Sequence, residues 1–253
     1  LPEARANKAT DAKEALDAKR FKEARADYKK LAEEARLEND AARYRIGEGL
    51  AAYRSGEYRE ARGAFSGAML TDDDKISSAA HFGLGNTLFQ LGWLGLTDQS
   101  YPTEQSEVPD LARFETLVKE RLARMKQSDE ESVGRSEEYR RMDSLMVNWA
   151  DSVRHYDSAV KANPADKGAA KNRETTMIYL RKLRERLEEE KKKTDQEMPQ
   201  MGQGQGGRVE VAQDAEAEHR VQPHCGSDLG RLGIALNEVQ QVEQLRLVRV
   251  AAR

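Results

Sequence analysis

Residues 21–31 read FKEARADYKKL, and residues 58–68 read YREARGAFSGA. At a spacing of 37, Phe21, Ala24, Tyr28 and Leu31 fall on Tyr58, Ala61, Phe65 and Ala68. The steps of three and four within each set put the four side chains on one face of an α-helix. Upstream, Ala12 and Gly49 occupy equivalent places, and Gly85 follows Gly49 by 36 residues. A helical pattern returning at a fixed interval of this size indicates stacked helix pairs, each covering its neighbour's apolar face. Such stacks build surfaces that hold other chains, and they rarely carry chemistry themselves.

Working outward, the segment from about Ala4 to Leu37 reads as a helical hairpin that turns near Lys19 and Arg20. A second hairpin runs from about Ala41 to Leu70 and turns at Ser55-Gly56-Glu57, where Gly56 can take the left-handed conformation that ends a helix. Thr71 to Asp74 forms a stop and N-cap cluster. A third helix follows from about Ile76 to Leu91 and is expected to end at Gly92. Its partner does not come next, because residues 93 to about 135 break the period. Thr97 to Asp110 is a polar loop with Pro102 and Pro109, and Asp110 caps an amphipathic helix through about Met125. That helix carries Leu111, Phe114, Leu117, Leu122 and Met125, and Ser128 to Glu131 resembles a capping box for the next one.

Tyr139, Met142, Met146, Trp149, Val153, Tyr156 and Val160 then form an unbroken apolar seam at alternating spacings of three and four. Its far end restores the repeat, since Ser152, Tyr156, Ala159 and Pro164 match a second repeat helix and its closing proline. A last helix is expected from Ala165-Asp166 to about Lys193, with Ala170, Met177, Leu180, Leu183 and Leu187 facing the preceding hairpin. Its end, Glu188 to Lys193, is too charged to bury.

The chain divides accordingly. Residues 1–92 hold two hairpins and the first helix of a third, and 93–148 form an insertion within the third repeat. Residues 149–194 complete that hairpin and add a C-terminal capping helix. Residues 195–253 comprise a Gln/Gly-rich linker and a tail whose periodicity fits helix and strand equally.

Composition agrees with thin helical layers. Of 253 residues, 38% are hydrophobic and 34% charged, and the net charge of −3 gives no nucleic-acid footprint. Proline is absent between Pro2 and Pro102, and only Pro164 lies between Pro109 and Pro199, as helix-dominated segments require. One cysteine, Cys225, excludes an intramolecular disulfide. No apolar run reaches the roughly 18 residues of a membrane span. Leu1 in place of methionine points to a removed signal or anchor segment, or to an imposed boundary.

The spacing resembles that of tetratricopeptide repeat proteins, whose signature has Leu-Gly in the first helix, Ala-x-x-x-aromatic in the second and a closing proline. The matches are Leu84-Gly85 with Leu88, Ala24 with Tyr28, Ala61 with Phe65, and Pro164. Asp11-Ala12 and Glu48-Gly49 depart from Leu-Gly, and the interval exceeds the usual 34 residues of the family. A narrower likeness covers roughly 76–207. Gly85-Asn86-Thr87-Leu88-Phe89, His155-Tyr156 through Asn163-Pro164, and Ala170 to Glu174 before a charged helix and Gln/Gly-rich tail resemble bacterial aerotolerance-operon (Bat-type) tetratricopeptide proteins. The resemblance implies an all-α, right-handed superhelical stack of hairpins. It also implies a scaffold for von Willebrand A-type proteins and a MoxR-type ATPase at the periplasmic side or cell envelope, with the cytoplasm as the alternative.

Chemical motifs have plainer readings. Gly202, Gly204 and Gly207 satisfy G-x-G-x-x-G, but a charged helix stands where the dinucleotide fold needs a strand. His219, His224 and Cys225 lack a fourth ligand and zinc-site spacing. Asp72 to Asp74 lacks the calcium-loop pattern and reads as a cap. Cys225 has no identifiable base, and His81 and His155 read as packing or solvated groups. The expectation is therefore no catalytic residue, no metal, no cofactor, no nucleic acid and no small-molecule substrate.

What remains is a protein or peptide ligand in a groove lined by the first helix of each repeat. By resemblance, Asn86 stands where such proteins hydrogen-bond a bound peptide's backbone, with Arg45 and Lys13 bordering the groove. A paired carboxylate clamp is not expected, because Ala9 and Ile46 occupy the comparable faces. The competing readings are an assembly protein joined through the Tyr139–Val160 seam and a regulatory part of an enzyme.

Overall fold

The computed structural model describes residues 2–102, 110–130 and 135–197. They form helices α1 (Pro2–Asp17), α2 (Phe21–Glu33), α3 (Glu38–Arg54), α4 (Tyr58–Ala68), α5 (Asp74–Thr97), α6 (Leu111–Glu130), α7 (Arg135–Ala162) and α8 (Lys167–Glu197), with no strand among the described residues. The architecture is all-α. None of these helices is long and apolar enough to cross a membrane. The expected Gln/Gly linker beyond residue 197 and the tail lie outside the described residues, with the glycine motif, His219, His224 and Cys225.

The first two hairpins turn by the same device. Lys19 adopts φ 60°, the Arg20 amide donates to the Ala15 carbonyl at 2.8 Å, and the Lys19 amide donates to Leu16 at 3.1 Å. Thirty-seven positions later, Gly56 adopts φ 80°, Glu57 donates to Ala52 at 2.9 Å and Gly56 to Tyr53 at 3.1 Å. Each closes a helix end through a left-handed residue and two reversed hydrogen bonds. The expected caps also form. Asp73 Oδ1 accepts from the Lys75 and Ile76 amides at the start of α5, and Asp110 Oδ1 accepts from the Arg113 amide at the start of α6.

Close approach between helices is built from glycine against aromatic. A Cβ on Gly47 would stand 2.7 Å from the Tyr28 ring, and one on Gly83 would stand 2.4 Å from Phe65. These two contacts join one hairpin to the next. Within hairpins, a Cβ on Gly49 would meet Phe65 at 2.8 Å, and one on Gly85 would meet Tyr156 at 2.7 Å. Phe65 is thus wedged between α3 and α5. Gly83→Ala is expected to destabilise by about 1–3 kcal/mol through overpacking. A Phe65→Leu background should return part of that loss in urea titrations, and equal losses in both backgrounds would remove the wedge.

The third hairpin is discontinuous in sequence. α5 lies along α7 rather than α6, and α6 packs against α5, α7 and α8. The shared core includes Phe89, Trp93, Leu96, Phe114, Val118, Met142, Met146, Trp149, Val153, Tyr179 and Leu183. α8 packs on α7 through Leu180, Leu183 and Leu187, joined by Tyr179, while Ala169 rather than Ala170 is the buried alanine of its first turn.

Three boundaries differ from the sequence reading, one of them the end of α8, which continues to Glu197 through residues 195–197 assigned to the linker. α5 does not end at Gly92 but continues to Thr97, and the left-handed cap is Asp98 at φ 60°. Gly92 serves contact rather than turning, since a Cβ there would stand 2.4 Å from the Trp149 indole. Buried Trp93 and Leu96 beyond it reward the extra turn. The proposed capping box also fails, because residues 128–130 continue α6, and Glu131 lies outside the described residues.

Candidate functional site

Lys13, Leu50 and Asn86 each follow the small residue of a hairpin's first helix, namely Ala12, Gly49 and Gly85. They therefore share one register on α1, α3 and α5. Lys13 is exposed, while Leu50 and Asn86 are half-buried. Lys13 Nζ pairs with Asp17 Oδ2 at 2.7 Å, one turn along the same helix. That hydrogen bond is the main reason the ammonium titrates above its ordinary range.

Arg45 belongs to a different row. It precedes Gly49 by four residues, as Lys8 precedes Ala12 and His81 precedes Gly85. Each of these three side chains reaches across its own hairpin. Lys8 Nζ lies 3.8 Å from Glu34 Oε2 on the far side of the first. Arg45 Nη1 donates to the Gly67 carbonyl at 3.1 Å near the end of α4. His81 Nδ1 meets His155 Nδ1 at 2.9 Å between α5 and α7. Arg45 is thus engaged inside its hairpin, and the three site residues expected from sequence are not brought into contact with one another by any hydrogen bond.

Asn86 is the most organised of the three. Its Oδ1 accepts from the Tyr156 hydroxyl at 2.7 Å and from Asn172 Nδ2 at 2.8 Å. Helices α5, α7 and α8 converge at this one oxygen. Tyr156 is itself fixed by its fit over Gly85 and is 1% exposed, and burial pushes its phenol far above the ordinary value. Ser152, one turn earlier on α7, donates to the Gly85 carbonyl at 2.7 Å. With the oxygen held on both sides, the plane of the Asn86 amide is set. Its Nδ2, which carries two N–H donors, has no partner among the described residues.

Sequence reasoning missed Asn172. It lies within the stretch Ala170 to Glu174, but its contact with Asn86 spans 86 positions and has no periodic signal. Glu48 on α3 was also missed. Its carboxyl is half-buried, and that burial raises its pKa against the opposing influence of Lys29, Arg25 and Arg45. Among the described residues, no group of three or more His, Cys, Asp or Glu side chains is arranged to hold a metal ion.

No family model matches this chain, and neither a curated protein nor a solved structure resembles it closely enough to register.

Proposed function

We propose that this chain is a non-enzymatic scaffold of tetratricopeptide type, a right-handed stack of hairpins that binds an extended segment of another protein across α1, α3 and α5. The observation that carries the reading is the Asn86 amide. Two donors hold its oxygen and leave its N–H pair unpartnered on a half-buried side chain. A pre-oriented donor of this kind suits the carbonyl of a peptide laid across the row, and binding needs little further ordering. Leu50, half-buried and packed against the first hairpin, adds apolar surface at the same register, and Lys13, paired with Asp17, stands at the α1 end. Residues 93–148 read as an insertion in the third repeat, because α7 supplies the partner that α5 lacks in sequence. By resemblance alone, the partners are von Willebrand A-type domains and a MoxR-type ATPase at the cell envelope.

The assembly reading receives less support. Met142, Met146 and Val153 are each 1% exposed and Trp149 is 0% exposed, all covered by helices of the same chain. Assembly through this seam would require α5 and α6 to come away first.

The test uses Asn86→Asp, which keeps the oxygens for Tyr156 and Asn172 but removes the two N–H donors. Wild-type and variant chains are compared on an array of unstructured peptides and against purified von Willebrand A-type domains. Loss of one backbone hydrogen bond should weaken capture about 3- to 10-fold. Identical affinities for every captured peptide would remove Asn86 from the binding surface. Peptide capture without capture of the domains would reject the named partners and keep the groove.

A further inference from the structure

We propose that His81 and His155 form an acid-released brace, which holds α5 to α7 while the pair carries at most one excess proton and separates them once both rings are charged. The geometry fixes the chemistry. The two Nδ1 atoms lie 2.9 Å apart and the ring centroids 5.1 Å apart, so each nitrogen sits on the side of its ring that faces the other. In the neutral pair one Nδ1–H donates and the other Nδ1 accepts. A first added proton can settle on the Nε2 of the donor ring and leave the shared bond intact. A second proton has only the accepting Nδ1 left, which places two N–H groups head-on.

Position in the fold sets this brace apart from its equivalents. At the same register the first hairpin has the Lys8–Glu34 ion pair, and the second has a hydrogen bond from the Arg45 guanidinium to the Gly67 carbonyl. The third hairpin spans the gap with two imidazoles. The charged group that acts on His155 is Arg154 on its own helix, which donates to Asp151 Oδ1. Burial first, then His81 and Arg154, pushes His155 down from 6.5 to about 4, and burial lowers His81.

The sign follows from proton uptake. Between about pH 4 and the ordinary histidine value near 6.5, the separated helices bind more protons than the joined pair. Closure is therefore fully favoured above that window and weakens as pH falls through it. Tyr156 follows His155 directly and holds the Asn86 oxygen, so release also frees that amide. This last consequence rests on the proposed binding role, whereas the brace itself does not.

The experiment is amide hydrogen exchange of the full chain at pH 7 and pH 4.5, corrected for intrinsic rates. It compares wild type with a His81→Asn/His155→Asn double variant, which keeps polar contact without titration. Opening of the α5–α7 pair in the wild type should increase roughly 10- to 100-fold on acidification, with α1 to α4 changing far less. The double variant should lose that difference. An equal acid response in both proteins would overturn the brace. Should the double variant not fold, NMR titration of the wild-type imidazoles decides. Two separate titrations near 6.5 with the helices still joined would reject it, and one depressed titration coincident with α5–α7 opening would support it.

Discussion

Trp149→Ala is expected to cost about 3–5 kcal/mol, the largest loss for any single side chain here. Trp149 is 0% exposed, the most voluminous of the fully buried side chains. Its indole stacks on Phe89 at 5.6 Å between centroids, lies 5.9 Å from both Phe114 and Tyr179, and fits over Gly92. Residues of α5, α6, α7 and α8 therefore meet on one ring. Its Nε1 donates to the Phe89 carbonyl at 3.0 Å, so the polar end is satisfied inside the core. Truncation would leave a cavity that rigid helices on every side cannot collapse to fill, and it would strand that carbonyl's second acceptor site. Trp149→Phe separates the contributions, because it keeps most of the volume and loses the hydrogen bond. About 1–2 kcal/mol is expected for it, read from urea midpoints at constant slope. Sedimentation of the same variants addresses the assembly reading. A Trp149→Ala protein that kept its stability and lost only self-association would move the seam from the interior to an interface.

That ring also marks how far the sequence could be read. The repeat of Phe21 and Tyr28 in Tyr58 and Phe65 was legible because neighbouring helices meet through positions fixed by period, and the structure places Tyr28 and Phe65 against the glycines of the following helix. The turns at Lys19 and Gly56 were legible because a hairpin of this length needs a left-handed residue there. The equivalent residue in the third hairpin, Gly92, misled for a physical reason. Glycine serves two ends, a left-handed turn and a missing Cβ, and only the position of Trp149, 57 residues later, decides between them. The candidate site divides similarly. Asn86, Lys13 and Arg45 could be placed on first helices by spacing, but spacing does not tell which of them another helix already occupies. Arg45 proved to bind Gly67, and the Asn86 oxygen proved to bind Tyr156 and Asn172. Such contacts depend on the crossing of helices rather than on the period within one. The His81–His155 contact was hidden by the same limit, since the two residues stand 74 positions apart with α6 between them in the chain.

Arg121→Ala should cost about 3–4 kcal/mol, because it removes the charge that ties α6 to α5 and α7. Hydropathy alone would set this arginine on the solvent side of α6, yet it is 1% exposed. Its Nε donates to the Leu96 carbonyl at 3.1 Å, its Nη1 to Glu138 at 2.7 Å and its Nη2 to Asp98 at 3.0 Å. The guanidinium thus joins the end of α5, the body of α6 and the start of α7. Asp98 is half-exposed and keeps Arg141 at 2.6 Å, so part of the lost pairing can be replaced by water and by that second cation. The Leu96 carbonyl has no such relief, and the volume of the side chain is lost with its charge. Arg121→Met restores the volume but not the donors, and about half of the alanine loss is expected to return. A pH series separates this anchor from the histidine brace. Burial raises the Asp98 carboxyl, but Arg121 and Arg141 outweigh it and hold the group below its ordinary value of 3.8. Its contribution therefore persists above that value and fades as pH falls below it, whereas the histidine contribution fades already between 6.5 and about 4. In the Arg121→Met protein the lower of the two acid transitions should shrink and the upper one remain. Loss of the upper transition instead would mean that the two helix-joining contacts act as one unit.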